Sequence, residues 1–493
     1  MKRQLYLFFL VCCPVWLFAQ EPVITFSAAG GAGQQLRVLP PVQGEFFMGN
    51  LSERRLDSSG TAVFPNTEKV PGAYYFFYKR CYTLYVKPGK SYSLTVNAAD
   101  TVNPVAVTGP DAEGQLELNN VSAEFYQQRG MRYYAEDSVF AHNAKRVRAD
   151  QAAQLQRFTN LFREKKTDRA FLQHAEKLTA GYYASVLGAT LLRPTMAVQA
   201  DKKKPGFQQA AVQQLVAAWQ SLRGVCNMMD RSNAGSMEFF YFVNMYNTNY
   251  LGYLLPSASG TFTKAATSDE RDLFLGKVIR QHYRGPVKEY LLASWLGDLL
   301  TYNQFQAFIP GEYRAFAAMY PGSRFIAPMQ KGVQRVVAYH DKIKAGFTDD
   351  HRFVEEQPAS FRALAAAFPG KTVYIDLWAT WCTPCKAQFA YNRDLKALLK
   401  KQGVEAVYIS IDRLQDEPRW KEMIKYYDLQ GYHLRASEAL MKDLRDIFGE
   451  KNKTLYIPRY AILKNSELVV SSAKQPSDLK GLEEQLNELK TAP

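Results

Sequence analysis

Cysteine is scarce in this chain: six in 493 residues, with Cys12 and Cys13 inside the first nineteen. The remaining Cys81, Cys226, Cys382 and Cys385 are too few for a small scaffold held together by disulfides. The six histidines show no metal-ligand spacing, so no metal site is expected. No glycine loop has the phosphate-cradling pattern and no segment repeats at a fixed period, which removes nucleotide-loop and solenoid architectures. Beyond residue 18 no apolar run approaches the roughly 18 to 20 residues a membrane span needs. Acidic residues are the minority, 47 against 61 basic, giving a net charge of +14. The excess is dispersed, and its clusters are short: Lys202, Lys203 and Lys204 beside Pro205, and Lys400 with Lys401. These read as solvated turns and helix ends, and no nucleic-acid partner is expected.

What the chain does have begins at its start. Lys2 and Arg3 precede an apolar stretch from Leu5 to Phe18, and Leu17-Phe18-Ala19 before Gln20 makes a cleavage site. Residues 1–19 therefore read as a secretory signal peptide, which places the mature protein in the periplasm or cell envelope. Bulky Leu10 and Val11 ahead of Cys12 and Cys13 argue against lipoprotein anchoring. With 47% hydrophobic and 22% charged residues, a chain of this length is globular and exceeds one core, so two or three domains are expected.

Residues 20–112 alternate short β-forming runs with turn chemistry such as Ser58-Ser59-Gly60, Pro71-Gly72 and Lys87-Pro88-Gly89-Lys90, which predicts a small sandwich-like β domain. Tyr82–Val86 and Ser91–Val96 flank the last of these turns as a hairpin would. The aromatic run Ala73–Tyr78 reads as a strand buried on both faces. Residues 113–345 change to long amphipathic stretches, among them Asp150–Phe162 and Ala210–Trp219, and predict an all-α domain. The aromatic stretch Glu238–Tyr250 has the spacing of a core-filling helix. Cys81 and Cys226 read as buried free thiols, with pairing open if the fold brings them together.

Residues 346–493 carry the chemistry. The β-branched and aromatic run Thr372–Trp378 leads into Trp381-Cys382-Thr383-Pro384-Cys385, and residues Lys386–Leu399 follow with helical spacing. A cysteine where a strand hands over to a helix meets unpaired N–H groups and the positive end of the helix dipole, which favour its thiolate. Further on come a strand at Val404–Ile411, helices at Glu356–Phe368 and Pro418–Tyr427, strands at Tyr460–Leu463 and Glu467–Val470, and a final helix at Ser477–Leu489. Strand, helix and strand in that order imply a parallel pair with a right-handed crossover.

On the residues Ile375–Lys386, Tyr408–Asp412 and Ile457–Tyr460, the last 140 or so residues resemble a thioredoxin-like α/β domain of the TlpA/ResA type. The regions before it resemble, more weakly, the β-rich and helical parts of extended Bacteroidetes-type members. The resemblance implies a thiol-disulfide oxidoreductase, with Cys382 as the exposed nucleophile and Cys385 as the resolving thiol. Asp376, six residues before Cys382, matches the buried acid that takes the proton from Cys385. Pro458 matches the cis-proline that faces the dithiol, leaving the backbone at Ile457 free to pair with substrate. Trp381, Thr383, Pro384 and Arg459 are expected to contact substrate or tune the site. No cofactor is implied beyond the redox-active Cys382–Cys385 disulfide. The implied partners are disulfide-containing envelope proteins and a membrane thiol donor.

Three departures from the family pattern stand out: Gln388 where an acid is frequent, Arg459 after the proline, and no clear match among Glu438, Asp443 and Asp446 for a functional acid. A peroxiredoxin-type peroxidase is the alternative enzyme, but its P-x-x-x-T-x-x-C setting is missing, since Ala379 stands three before Cys382. A surface-binding module with a vestigial redox domain is a third reading, opposed by the intact Cys382, Cys385, Asp376 and Pro458.

Overall fold

The computed structural model describes residues 21–97, 104–201, 209–263, 265, 267–302, 305–355, 357–450 and 453–491. The expected signal peptide with Cys12 and Cys13, the lysines 202–204, Pro205 and Glu356 lie outside them. The chain divides into two compact units between Ala258 and Ser259, and the helical stretch 113–345 contributes to both.

The first unit opens with two four-stranded sheets. Strands β1 (Val23–Ala28), β4 (Thr61–Pro65), β7 (Tyr92–Val96) and β8 (Val105–Thr108) form one, in the order β4-β1-β7-β8. The other, in the order β3-β2-β5-β6, holds β2 (Gln35–Leu39), β3 (Ser52–Arg55), β5 (Gly72–Tyr78) and β6 (Arg80–Val86). Period-two alternation sends Phe26, Val38, Phe76, Leu84 and Leu94 into one core between the sheets. The aromatic strand β5 is buried on both faces: Tyr74 and Phe76 enter that core, while Ala73 and Tyr75 pack with Phe46, Met237 and Phe240.

The hairpin expected across residues 87–90 is not formed. β6 pairs with β5, and β7 pairs with β1 and β8, so the Pro-Gly turn carries the chain from one sheet to the other. The reason lies on the helix Ala112–Val121, whose Gln115 and Asn119 carboxamides each bond both backbone groups of a β6 residue. Thr83 N–H donates to Asn119 at 2.9 Å and Thr83 C=O accepts from it at 2.8 Å; Tyr85 makes the same pair with Gln115 at 2.9 and 2.7 Å. Residues four apart on a helix share a face, so two side chains substitute for a partner strand and seal an otherwise open sheet edge. The buried Asn66 ties the turn itself, donating to Lys87 and Lys90 carbonyls.

Long helices follow, including Phe140–Arg163 and Arg169–Asp201, and the aromatic stretch runs as an α-helix, Met237–Met245, continued by a π-helical segment, Tyr246–Leu254. Its Tyr246 and Tyr250 rings pack against Trp219, a core role.

The second unit contains helices Ser268–His282, Gly285–Thr301, Ile309–Met319 and Ile326–Lys342, then a six-stranded sheet. Its strands are β9 (His351–Phe353), β10 (Thr372–Trp378), β11 (Val404–Ser410), β12 (Gly431–Arg435), β13 (Arg459–Lys464) and β14 (Glu467–Val470), in the order β14-β13-β10-β11-β12-β9. The first four run parallel, β13 is antiparallel to β10, and β14 is antiparallel to β13. Helices cover both faces, as a buried parallel sheet requires. Val373, Ile375 and Leu377 of β10 face a core closed by helices Phe361–Ala366 and Glu438–Phe448. Tyr374 faces the opposite core with Leu395, Leu399, Leu482 and Leu486.

The helices ahead of the sheet pack onto it within this unit. Phe305, Tyr339 and Tyr426 stack with centroids 4.5 to 4.9 Å apart, and Lys342 Nζ donates to the Tyr426 carbonyl at 2.5 Å. Helix Ile326–Lys342 therefore lies against helix Glu417–Tyr427.

Candidate active site

β10 ends at Trp378, and four residues later Cys382 becomes the N-cap of helix Thr383–Gln388. Its extended backbone stops the strand direction, and Pro384, with no N–H to lose, sits in the first turn where that costs nothing. Cys382 Sγ accepts the N–H of Cys385 at 3.1 Å, so the sulfur occupies the place of a capping oxygen. The two cysteines are joined in a disulfide, with Cα atoms 5.3 Å apart.

Cys382, expected as an exposed nucleophile, is only 3% exposed in this oxidised form, and Cys385 is fully buried. The correction has a local cause: the sulfur is turned inward onto the helix N–H and its partner, while the neighbouring Trp381 takes the solvent position at 58%. Thr383 is half-buried and Pro384 is exposed.

The single helix read over Lys386–Leu399 is interrupted by a 3-10 turn at Phe389–Tyr391 before Asn392–Gln402 resumes. Phe389 is drawn inward against Trp378 and Tyr427, and Asn392 donates to the Tyr427 and Asp428 carbonyls while accepting from Tyr408. Tertiary hydrogen bonds at an amide side chain outweigh the weak local preference for an unbroken helix.

Asp376 is buried on β10, on the sheet face it shares with Tyr374 by strand periodicity, beneath helix Asn392–Gln402. In register it stands between Tyr408 of β11 and Tyr460 of β13, so aromatic rings line both sides of the carboxyl. Neither carboxyl oxygen has a hydrogen-bond partner among the described residues. Burial pushes its pKa well above the ordinary carboxyl range.

The Ile457–Pro458 peptide bond is cis. Ile457 and Arg459 are half-buried, and Arg459 points its guanidinium away to the Phe448 carbonyl, at 2.9 Å, at the end of helix Glu438–Phe448. Gln388 accepts the Ser477 N–H at 3.0 Å. Of the three acids weighed in the insertion, Asp443 accepts the Phe361 N–H at 2.6 Å, Asp446 pairs with Lys453 at 2.6 Å, and Glu438 is an exposed first-turn residue. Asp443 and Asp446 are thus engaged in holding local structure.

Three residues near the dithiol lie in the segments that carry the family resemblance, but the sequence reading gave them no role. Asp412, buried just past β11, accepts from the Thr380 N–H at 2.9 Å, the Thr380 hydroxyl at 2.8 Å and the Ser410 hydroxyl at 2.7 Å. Thr380 lies two residues before Cys382. Lys386, next to Cys385, is buried although lysine is rarely so. The available signal was an acid closing an apolar strand, which by itself reads as a strand end.

The chain is 54% identical over 88 residues, 18% of its length and 44% of the relative's, to the thiol-disulfide oxidoreductase ResA of Oceanobacillus iheyensis. To ResA of Bacillus subtilis it is 36% identical over 76 residues, 15% of this chain and 42% of that one. The chain thus spans less than half the length of these curated relatives. The thioredoxin domain of a thiol-disulfide oxidoreductase from Bacteroides vulgatus aligns at 19% identity and a TM-score of 0.21, covering 25% of this chain and 81% of that one. Residues 350–487 match the Redoxin family, and this C-terminal part of the chain is a thioredoxin-like domain similar to the ResA thiol-disulfide oxidoreductases.

Proposed function

We propose that the protein is a thiol-disulfide oxidoreductase of the cell envelope that reduces disulfides of exported proteins through Cys382 and Cys385. The observation that carries this reading is the bridged pair itself: one sulfur caps a helix, and the other is buried in the same turn. A buried acid without a partner among the described residues lies on the adjoining strand.

In the reduced protein the Cys382 thiolate attacks one sulfur of a substrate disulfide. A mixed disulfide forms and the first substrate thiolate leaves. In molecules whose Asp376 is ionised, that carboxylate takes the proton of Cys385, which attacks Cys382 Sγ, closing the intramolecular bridge and releasing the second substrate thiolate. Two electrons pass from the dithiol to the substrate. A thiol donor at the membrane then restores the dithiol by the same exchange in reverse. An extended substrate segment pairs with the Ile457 backbone beside Pro458, and Trp381, Thr383 and Pro384 border the approach.

The test is insulin reduction in the presence of dithiothreitol, followed by turbidity. Wild type should accelerate precipitation and Cys382→Ala should not. Equal rates for the two proteins would refute the reading.

A further inference from the structure

Between the end of β10 and the dithiol helix the chain turns through Ala379, Thr380 and Trp381, and one buried carboxyl group from beyond the neighbouring strand holds that turn. The Ile411 N–H donates to the Trp378 carbonyl at 2.9 Å, which continues the pairing of β10 with β11 past the strand ends and sets Asp412 opposite Thr380. Thr380 is bonded twice: its N–H donates to the Asp412 carboxyl at 2.9 Å and its hydroxyl does so at 2.8 Å. The Ser410 hydroxyl donates to the same carboxyl at 2.7 Å and accepts the Asp412 N–H at 3.0 Å, which fixes the orientation of the acid. Thr380, Ser410 and Asp412 are all buried, so these bonds form where water does not compete for them.

The Thr380 N–H and the Ala379 carbonyl belong to one planar peptide unit. Asp412 holds its N–H side, and its C=O side accepts the Cys382 N–H at 3.1 Å. A single rigid plane thus runs from the carboxyl to the backbone of Cys382. On the other side of that residue the dithiol helix completes the hold, since the Cys382 carbonyl accepts the Lys386 N–H at 3.1 Å and Sγ accepts the Cys385 N–H. Cys382 is therefore placed relative to Cys385 from two directions, by the helix and by Asp412.

Closing a disulfide is favoured when the chain around the two thiols is already held in the bridging arrangement, because less freedom is lost as the bond forms. We propose that Asp412 is a positioning residue for the dithiol: acting through Thr380 and the Ala379–Thr380 peptide, it holds the Cys382 backbone where its sulfur meets Cys385, and so favours the disulfide over the dithiol. The inference rests on the dithiol reading given above and adds Asp412 and Thr380 to it. Neither residue exchanges electrons.

Redox equilibration of the full-length protein in glutathione buffers tests this. Two glutathione thiols give two electrons and two protons to the protein disulfide, leaving the dithiol and glutathione disulfide. The comparison is between Asp412→Leu and Asp412→Asn. Both drop the carboxylate charge, and only Asn keeps an oxygen for the Thr380 N–H, so their difference reads the bond apart from the charge. Asp412→Leu is expected to lie about tenfold further toward the dithiol than Asp412→Asn, about 30 mV less negative. Loss of packing alone lowers the stability of both redox forms and leaves the equilibrium between them in place. Equal constants for the two variants, or a Leu variant lying further toward the disulfide, overturn the proposal. Should Asp412→Leu not fold, hydrogen exchange of the wild type decides: the Thr380 and Cys382 amides are expected to exchange at least about 100-fold more slowly than unprotected amides in both the disulfide and the dithiol form, and unprotected rates in either form overturn it. A wild type that never exchanges with glutathione defeats the dithiol reading and this role with it, whereas a wild type that exchanges normally beside matching Leu and Asn variants defeats the role of Asp412 alone.

Discussion

The same side chain lives under two regimes in the two units. Cys81 on β6 and Cys226 in the first unit are free thiols, and burial, with nearby Glu238 and Asp230 respectively, pushes their pKa values up, that of Cys226 to about 12. In the second unit Cys382 caps a helix, receives an N–H on its sulfur and is bonded to Cys385. Burial is common to both, since Cys382 and Cys226 are each almost fully covered. What differs is the polarity of the cover. Apolar surroundings and carboxylates hold a thiol protonated and inert, whereas a helix start offers N–H groups to a thiolate.

The largest expected effect is a qualitative one. Cys385→Ser should hold substrates as stable mixed disulfides on Cys382, seen as reducible high-mass bands from an envelope extract, while Cys81→Ala and Cys226→Ala leave insulin reduction unchanged. Trapping through Cys81 or Cys226 would break the contrast between the units. Next comes alkylation. At pH 8 a thiol of pKa about 12 is ionised in only about one molecule in ten thousand, so Cys226 should react with iodoacetamide roughly a thousandfold more slowly in the native protein than in urea. Mass spectrometry after timed quenching measures this, and comparable rates would show that the first unit opens readily.

Asp376 sharpens the second regime. Burial raises its pKa, so the folded protein keeps a proton that the unfolded chain releases above about pH 4. Stability therefore falls as pH rises from about 4 toward the raised value. Asp376→Asn removes that penalty: urea melts should show a gain in stability at pH 7 and none at pH 3. The same variant should resolve mixed disulfides about 100-fold more slowly at neutral pH, because Cys385 loses its proton acceptor. Equal resolution rates would remove Asp376 from the mechanism.

The smallest effect belongs to the scaffold. Gln115→Leu leaves the Tyr85 backbone groups unpaired at the edge of β6 and should cost about 1–3 kcal/mol of stability without changing disulfide reduction. A change in redox rate would show that the first unit is more than a support.

Where elements carried strong local patterns, the sequence was legible. β14 spans the residues expected of it, Glu467–Val470, and β10 and β11 lie within one residue of theirs because long β-branched runs suit a sheet buried on both faces. β9 and β12 went unread. Three residues do not make a pattern, and Gly431-Tyr432-His433-Leu434-Arg435 owes its strand state to pairing between β11 and β9 and to a neutral buried His433 bonded to the Leu429 carbonyl. The hairpin at 87–90 misled for a related reason, since turn chemistry specifies a reversal and not which sheet receives the next strand.

The amino-acid order alone determined the dithiol spacing, the strand-to-helix handover at Cys382 and the offset of Asp376, because each is set within a dozen residues of backbone. Only the tertiary structure decided that the Cys382 sulfur faces inward, that Asp376 stands between Tyr408 and Tyr460, that Arg459 turns away, and that Lys386 and Asp412 sit around the motif. At Asp412 and Lys386 the outcome depends on groups 32 and 84 residues distant that arrive to take a hydrogen bond, and burial and register are properties of the assembled sheet and not of any one segment.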